Sequence, residues 1–264
     1  AGILNKKDDE HHLRTLVETI RKNFNAAFYN EATHHYGEGK QGADVFALAF
    51  GLVPEGKREK VFAALLGHLE KVNYHFDTGI LATPLLLQVL TENGRADLAY
   101  KLMNQRDFPS YGYLADKKNN TLWETWNGDG NDEGCGHCHP MFGSVVAWFY
   151  HSLAGIKPDQ SDPGMKHFYI EPMIVPDLKY CRATYDSQYG KISSDWKIDE
   201  NGNLNLKIEV PANTSATVII PDWGGRTVLE SGKPVSEVSN IVIDKVDSAR
   251  MKVSSGVYHF VILK

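Results

Sequence analysis

The hydrophobic pattern of this chain changes its period once, near residue 160, and that single change restricts it to two differently built units. Before the change, apolar residues recur at helical spacing: Leu13, Leu16, Val17, Ile20 and Phe24; then Val61, Phe62, Leu65, Leu66 and Leu69; then Leu85, Leu86, Val89 and Leu90. Each set predicts a helix with one buried face. Two further helices are expected from Ala43 to Phe50 and from Ala96 to Met103. A last one should run from about Met141 to Ala154 and stop at Gly155, which can take the left-handed cap conformation. The joints carry breakers, Gly51-Leu52-Val53-Pro54-Glu55-Gly56 and Glu92-Asn93-Gly94, and short joints make neighbouring helices antiparallel. This rhythm suggests a toroid of helical hairpins.

After Pro158 the alternation is that of strands. Leu204, Leu206, Ile208 and Val210 alternate with polar residues, and Asn201-Gly202 just before them is a hairpin signal. With His167–Glu171, Thr217–Ile220, Ile241–Ile243 and Gly256–Leu263, six to eight short strands are expected, spaced as in an antiparallel sandwich. The fold class is therefore α+β in two domains: a helical unit over residues 1–160 and an antiparallel β-sandwich over 161–264.

With 264 residues, 42% of them hydrophobic, the chain can bury a sizeable core. A net charge of -5 without a long Lys/Arg cluster gives no footprint for nucleic acid, and no apolar run reaches the length of a membrane span. The expected partner is a small neutral molecule or another protein. The start, Ala1-Gly2-Ile3-Leu4-Asn5-Lys6-Lys7, has no Met and lacks the order of a signal peptide, so no compartment is read from it. Three cysteines, Cys135, Cys138 and Cys181, are too few and too odd in number for a disulfide framework and suggest reduced thiols.

A toroid of helical hairpins gathers its loops at one end, where the most polar and aromatic of them should line a cleft. Two loops qualify. Val72–Gly79 contains Asp77 and Thr78, and Phe108–Pro140 holds Tyr111, Tyr113, Trp123, Glu124, Trp126, Asp129, Asp132, Glu133, His137 and His139. Glu124, between Trp123 and Trp126, is the leading candidate for acid–base work on a sugar, because indole faces stack on a pyranose and wall the carboxylate off from water. His139, at the mouth of the last helix, is the second. Each also has a plain structural reading: Glu124 as a cap or ion-pair partner between core tryptophans, His139 as a ligand of a backbone carbonyl, Asp77 and Thr78 as a helix cap. Cys135-Gly136-His137-Cys138-His139 lacks the distant second pair of a zinc site. Asn127–Glu133 lacks the glycine and the terminal glutamate of a calcium loop, so no metal or cofactor is expected.

Taken together and in order, these segments resemble one family. Asp77-Thr78-Gly79-Ile80-Leu81-Ala82-Thr83-Pro84, Asn93-Gly94-Arg95-Ala96-Asp97-Leu98-Ala99-Tyr100, Thr121-Leu122-Trp123-Glu124-Thr125-Trp126 and His139-Pro140-Met141-Phe142-Gly143-Ser144-Val145 are similar to the bacterial α-L-rhamnosidases of glycoside hydrolase family 78. The resemblance implies part of an (α/α)6 barrel followed by a C-terminal β-sandwich, and an inverting hydrolase acting on a rhamnose-containing glycoside. Glu124 is then the general base, His139, Trp126 and Trp123 line the pocket, and Asp77 and Thr78 are further candidates at the barrel mouth. In an inverting pair the two carboxyl groups stand about 6.5–9.5 Å apart with water between one of them and the sugar. The segment that supplies the family's general acid has no counterpart here, and about five to seven of the twelve barrel helices fit into the helical unit. Cys138, Pro140 and Met141 also depart from the residues usual around the pocket histidine. The chain is thus expected to need the N-terminal part of the same enzyme and to expose the flanks of its outer helices, with homodimerisation as one outcome. The alternatives are a non-catalytic carbohydrate-binding or interaction module and an α/α-barrel glycosidase of another sugar specificity.

Overall fold

Five of the expected helices form where the apolar spacing puts them. In the computed structural model they are α1 (Lys7–Phe28), α2 (Gln41–Ala49), α3 (Arg58–Lys71), α4 (Thr83–Glu92) and α5 (Ala96–Asn104). The structure describes residues 1–117, 121–127, 135–220, 224–244 and 249–264, which divide into two units, Ala1–Ser144 and Val145–Lys264. In the first unit α2 packs on α3 and α4, and α4 on α5. Val45, Leu48, Val61, Leu65, Leu69, Leu86 and Leu90 are buried where these helices meet. Pro84 sits in the first turn of α4, where its missing N–H has no intrahelical partner to lose.

α1 corrects the expectation of a buried face. Its stripe is apolar as read, yet none of its residues is buried, and Leu13, Leu16, Val17 and Ile20 are 43–50% exposed. The helix is tethered near its C-terminal end instead: Asn25 Nδ2 donates to Leu52 O (2.7 Å), and Tyr36 Oη donates to Asn25 Oδ1 (2.5 Å). The stripe is real, and no described residue buries it. A periodic pattern reports that a face needs a partner without saying where the partner lies.

Two further departures concern the region around the candidate site. Part of the expected Phe108–Pro140 loop is helical, because Ser110 Oγ accepts the Tyr113 N–H (3.0 Å) and caps α6 (Tyr111–Asp116). The expected helix from Met141 to Ala154 is broken into α7 (Pro140–Gly143), α8 (Val145–Trp148) and a π-helical turn over Phe149–Leu153. At the break, Ser144 Oγ donates back to Met141 O and the Ser144 N–H is shared between Pro140 O (3.1 Å) and Met141 O (3.2 Å). Such side-chain competition for a helical carbonyl favours interruption. Gly155 ends the segment in the left-handed region (φ 77°), as expected, and an added Cβ would lie 2.2 Å from the backbone of Glu171 and Pro172.

Nine strands are seen among the described residues of the second unit, hydrogen-bonded into one network. β3 (Tyr180–Ser187), β4 (Gly190–Ile198) and the first half of β5 (Leu204–Ile219) pair antiparallel. The turn between β4 and β5 contains the signalled Asn201-Gly202, with Asp199 Oδ1 accepting the N–H groups of Asn201 and Asn203 (both 2.9 Å). β5 and β9 (Arg250–Ile262) pair along their length, with a register break between Val210 and Ser215, where Pro211 has no N–H to offer the ladder. Beyond the break β5 pairs with β2 (His167–Ile170), which in turn pairs with β1 (Ile156–Pro158). β6 (Val228–Glu230) and β8 (Ile241–Ile243) attach to opposite ends of β9, and β7 (Lys233–Pro234) pairs with β6. The sheet is antiparallel except for β2 and β5, which run parallel. One core cluster of this unit contains Trp196, Phe168, Leu206, Ile208, Val218 and Phe260.

Candidate active site

Residues 121–126 and 135–139 run alongside each other as a short ribbon, and Glu124 lies at its centre. The His139 N–H donates to Leu122 O (2.8 Å), the Glu124 N–H donates to Gly136 O (2.9 Å), and Thr121 Oγ1 donates to His137 O. The ribbon also holds the carboxylate, since the Gly136 N–H donates to Glu124 Oε2 at 3.0 Å. Oε1 has no hydrogen-bond partner among the described residues. Glu124 forms no ion pair there either, so the capping or ion-pair reading of this residue gains no partner.

His139 stands across the same small space. It is the N-cap of α7, and its Nδ1 accepts the Met141 N–H at 3.4 Å. A neutral ring that accepts at Nδ1 carries its hydrogen on Nε2 and has that donor to offer elsewhere. A Cβ placed on Gly136 would lie 3.3 Å from Glu124 Oε2 and 3.7 Å from His139 Cδ2, so the two side chains flank the bare glycine.

Trp123 and Trp126 play different parts. Trp123 stacks on His137 with ring centres 3.9 Å apart and planes within 10°, which occupies one face of its indole. Trp126 is only 9% exposed. It stacks on Phe142 (4.1 Å) and Phe76 (5.0 Å), meets Tyr111 edge-on (5.1 Å), and donates its indole N–H to Thr78 O (2.7 Å). Tyr111 donates its hydroxyl to Phe142 O (2.9 Å), and burial pushes its phenol far above the usual range. These rings are the core beneath the ribbon.

The Val72–Gly79 loop is tied to that core and to α2. The Asp77 carboxylate is engaged at both oxygens: Oδ1 accepts the Gln41 N–H at the start of α2 (3.1 Å), and Oδ2 meets His68 Nε2 (2.6 Å). Gln41 answers in kind, its Oε1 accepting the Asp77 N–H (3.1 Å) and its Nε2 donating to His75 O (2.7 Å). Thr78 is 3% exposed and its hydroxyl bonds that of Thr83 (2.7 Å). His75 reaches Asp107 Oδ1 (2.8 Å), and this bond holds the Asp107 carboxyl below its ordinary range. Gln41 was not singled out from the sequence, and its 36-residue separation from Asp77 left no local signal.

Cys135 Sγ lies 3.6 Å from Thr125 Oγ1, and Cys138 is exposed. Among the described residues no group of three or more His, Cys, Asp or Glu is placed to hold a metal, and no helix is long and apolar enough to cross a membrane. Asp129, Asp132, Glu133 and most of the Asn127–Glu133 stretch lie outside the described residues.

Residues 1–153, more than half of the chain, match the family profile described as the bacterial alpha-L-rhamnosidase 6 hairpin glycosidase domain. The chain belongs to the bacterial α-L-rhamnosidase family. Residues 155–233 match the C-terminal domain of the same family. An α-L-rhamnosidase of Formosa agariphila is 31% identical over 98% of this chain, which spans 29% of that relative. Among solved rhamnosidase structures, that from Dictyoglumus thermophilum superposes with a TM-score of 0.89 at 34% identity, covering all of this chain and 30% of its own. The Streptomyces avermitilis enzyme, solved with L-rhamnose, gives a TM-score of 0.81 at 32% identity, with 94% of this chain and 24% of that one covered. The chain thus spans under a third of the length of these rhamnosidases. Its order of helical hairpins and then a sheet domain is the one these relatives share.

Proposed function

We propose that this chain is the part of an inverting α-L-rhamnosidase that carries the general base, Glu124. The reading is supported above all by the division of labour in its carboxylate: Oε2 takes the Gly136 N–H while Oε1 has no hydrogen-bond partner among the described residues, in a chain whose relatives are α-L-rhamnosidases. Oε1 deprotonates the water that attacks the anomeric carbon, and a carboxylic acid outside this chain protonates the departing glycosidic oxygen. His139 orients the sugar by donating from Nε2 to a hydroxyl. Trp123 offers the indole face that does not stack on His137. Trp126, Asp77 and Thr78, assigned to the pocket from the sequence, act in this reading from beneath, fixing the two loops against each other. Residues 1–160 are assigned to the barrel and 161–264 to the sandwich.

Without the acid the chain alone should not hydrolyse an aryl α-L-rhamnoside, and it should bind free L-rhamnose weakly. Hydrolysis by the chain alone would place the acid within it and overturn that assignment. Titration with no rhamnose binding, in an enzyme whose activity is intact, would remove His139 and Trp123 from the sugar site.

The bare stripe on α1 supports a second part of the proposal: in the complete enzyme the remaining hairpins of the six-hairpin domain cover it. Separated from them, the chain is expected to pair through Leu13, Leu16, Val17 and Ile20. Sedimentation equilibrium should show a dimer that the double variant Leu13→Glu, Val17→Glu returns to monomer. A parent chain that is already monomeric at tens of micromolar would count against this use of the stripe.

A further inference from the structure

We propose that Gly136 is a positioning residue for the base, selected at this place by the space it leaves and by the amide it presents. The inference rests on reading Glu124 as the base. Two bonds join the residues in opposite senses, Glu124 N–H to Gly136 O (2.9 Å) and Gly136 N–H to Glu124 Oε2 (3.0 Å). The first fixes the backbone of the glutamate, and the second fixes its carboxylate. A carboxylate held at one oxygen by a backbone amide loses the rotation that would take its other oxygen away from the water.

The absence of a side chain is the other half of the device. A methyl group at position 136 would sit 3.3 Å from Oε2, tighter than ordinary contact, and 3.7 Å from His139 Cδ2. Backbone conformation does not demand glycine here, since Gly136 is not among the residues with positive φ. What demands it is the approach of Glu124. Any larger residue presses the carboxylate away from the amide and into the space it shares with the imidazole.

The test uses the complete enzyme and two variants that act differently. Gly136→Ala keeps the amide and adds bulk; exchange of the Gly136 amide for an ester, by incorporating glycolic acid, deletes the N–H and adds none. A misplacement of about 1 Å costs on the order of a hundredfold, and displacement by a few tenths of an ångström is expected to lower kcat about tenfold. The ester is expected to lower kcat about fivefold, through loss of a charge-assisted bond. In both, KM and the affinity for L-rhamnose should stay within about twofold, which a role in folding alone would not predict. Turnover within twofold of the parent in both variants, with Glu124→Gln inactive, overturns the role of Gly136 and leaves the base in place. Equal losses in kcat and rhamnose affinity overturn it too, as a general loosening of the ribbon. If Gly136→Ala fails to fold, the ester variant decides alone. Turnover that survives Glu124→Gln removes the base, and with it the premise.

Discussion

On the function proposed above, replacing Glu124 by Gln in the complete enzyme should lower kcat by about 10²–10⁴-fold, or roughly 3–5 kcal/mol of barrier, with KM changed little. The substitution is nearly isosteric. The glutamine carbonyl can accept the Gly136 N–H that Oε2 accepts now, so the ribbon keeps its bonds. What faces the water is then an amide nitrogen or a neutral oxygen, and neither takes a proton at working pH. An interaction lost only in the transition state appears in kcat, whereas an interaction lost in both states appears in KM. Near-normal turnover would falsify the assignment of the base. A large rise in KM at unchanged kcat would move Glu124 from chemistry to sugar binding.

The same residue shows what a sequence does and does not disclose. Glu124 is conspicuous because Trp123 and Trp126 flank it, and local composition is enough to mark it. Its hydrogen-bond partner is twelve residues away on the other arm of the ribbon, and nothing in Cys135-Gly136-His137 announces the contact. Gly155 is different: it is legible because the end of a helix needs a left-handed residue, a requirement set by its neighbours in the chain. The β4–β5 hairpin is legible for the same reason, through Asn201-Gly202. The break in the last helix was missed because Gly143 and Ser144 are each tolerated inside a helix, and only the Ser144 bond back to Met141 reveals the interruption. α1 was half legible, since its periodicity gives the stripe and leaves the covering element unknown. Asp77 and Thr78 stand out in the sequence as candidates at the barrel mouth or as a helix cap. Their bonds to Gln41, His68 and Thr83, which depend on the packing of α2 against α3 and α4, lie beyond what spacing conveys.

Trp126 carries the second large expectation, and it separates a wall of the pocket from a pillar beneath it. Trp126→Ala should destabilise the helical unit by about 3–5 kcal/mol, the usual cost of truncating a buried tryptophan. The ring leaves three aromatic neighbours, Phe76, Phe142 and Tyr111, around a void. It also removes the shorter of the two hydrogen bonds to Thr78 O, leaving only the Thr83 hydroxyl at 3.5 Å, and this weakened pairing of a buried carbonyl adds to the loss. Trp126→Phe keeps most of the stacking and loses the N–H, so about 1–2 kcal/mol is expected, with activity at a permissive temperature close to the parent's. A residue acting mainly by touching sugar would behave in the opposite way, with Phe costing substrate affinity and Ala costing little stability. Thermal unfolding and L-rhamnose titration of the two variants distinguish the cases. An alanine variant that melts with the parent but binds rhamnose poorly would make Trp126 a platform after all. The expected order, stability lost first and activity lost only with it, follows from an indole whose faces are packed and whose one polar atom is already bound.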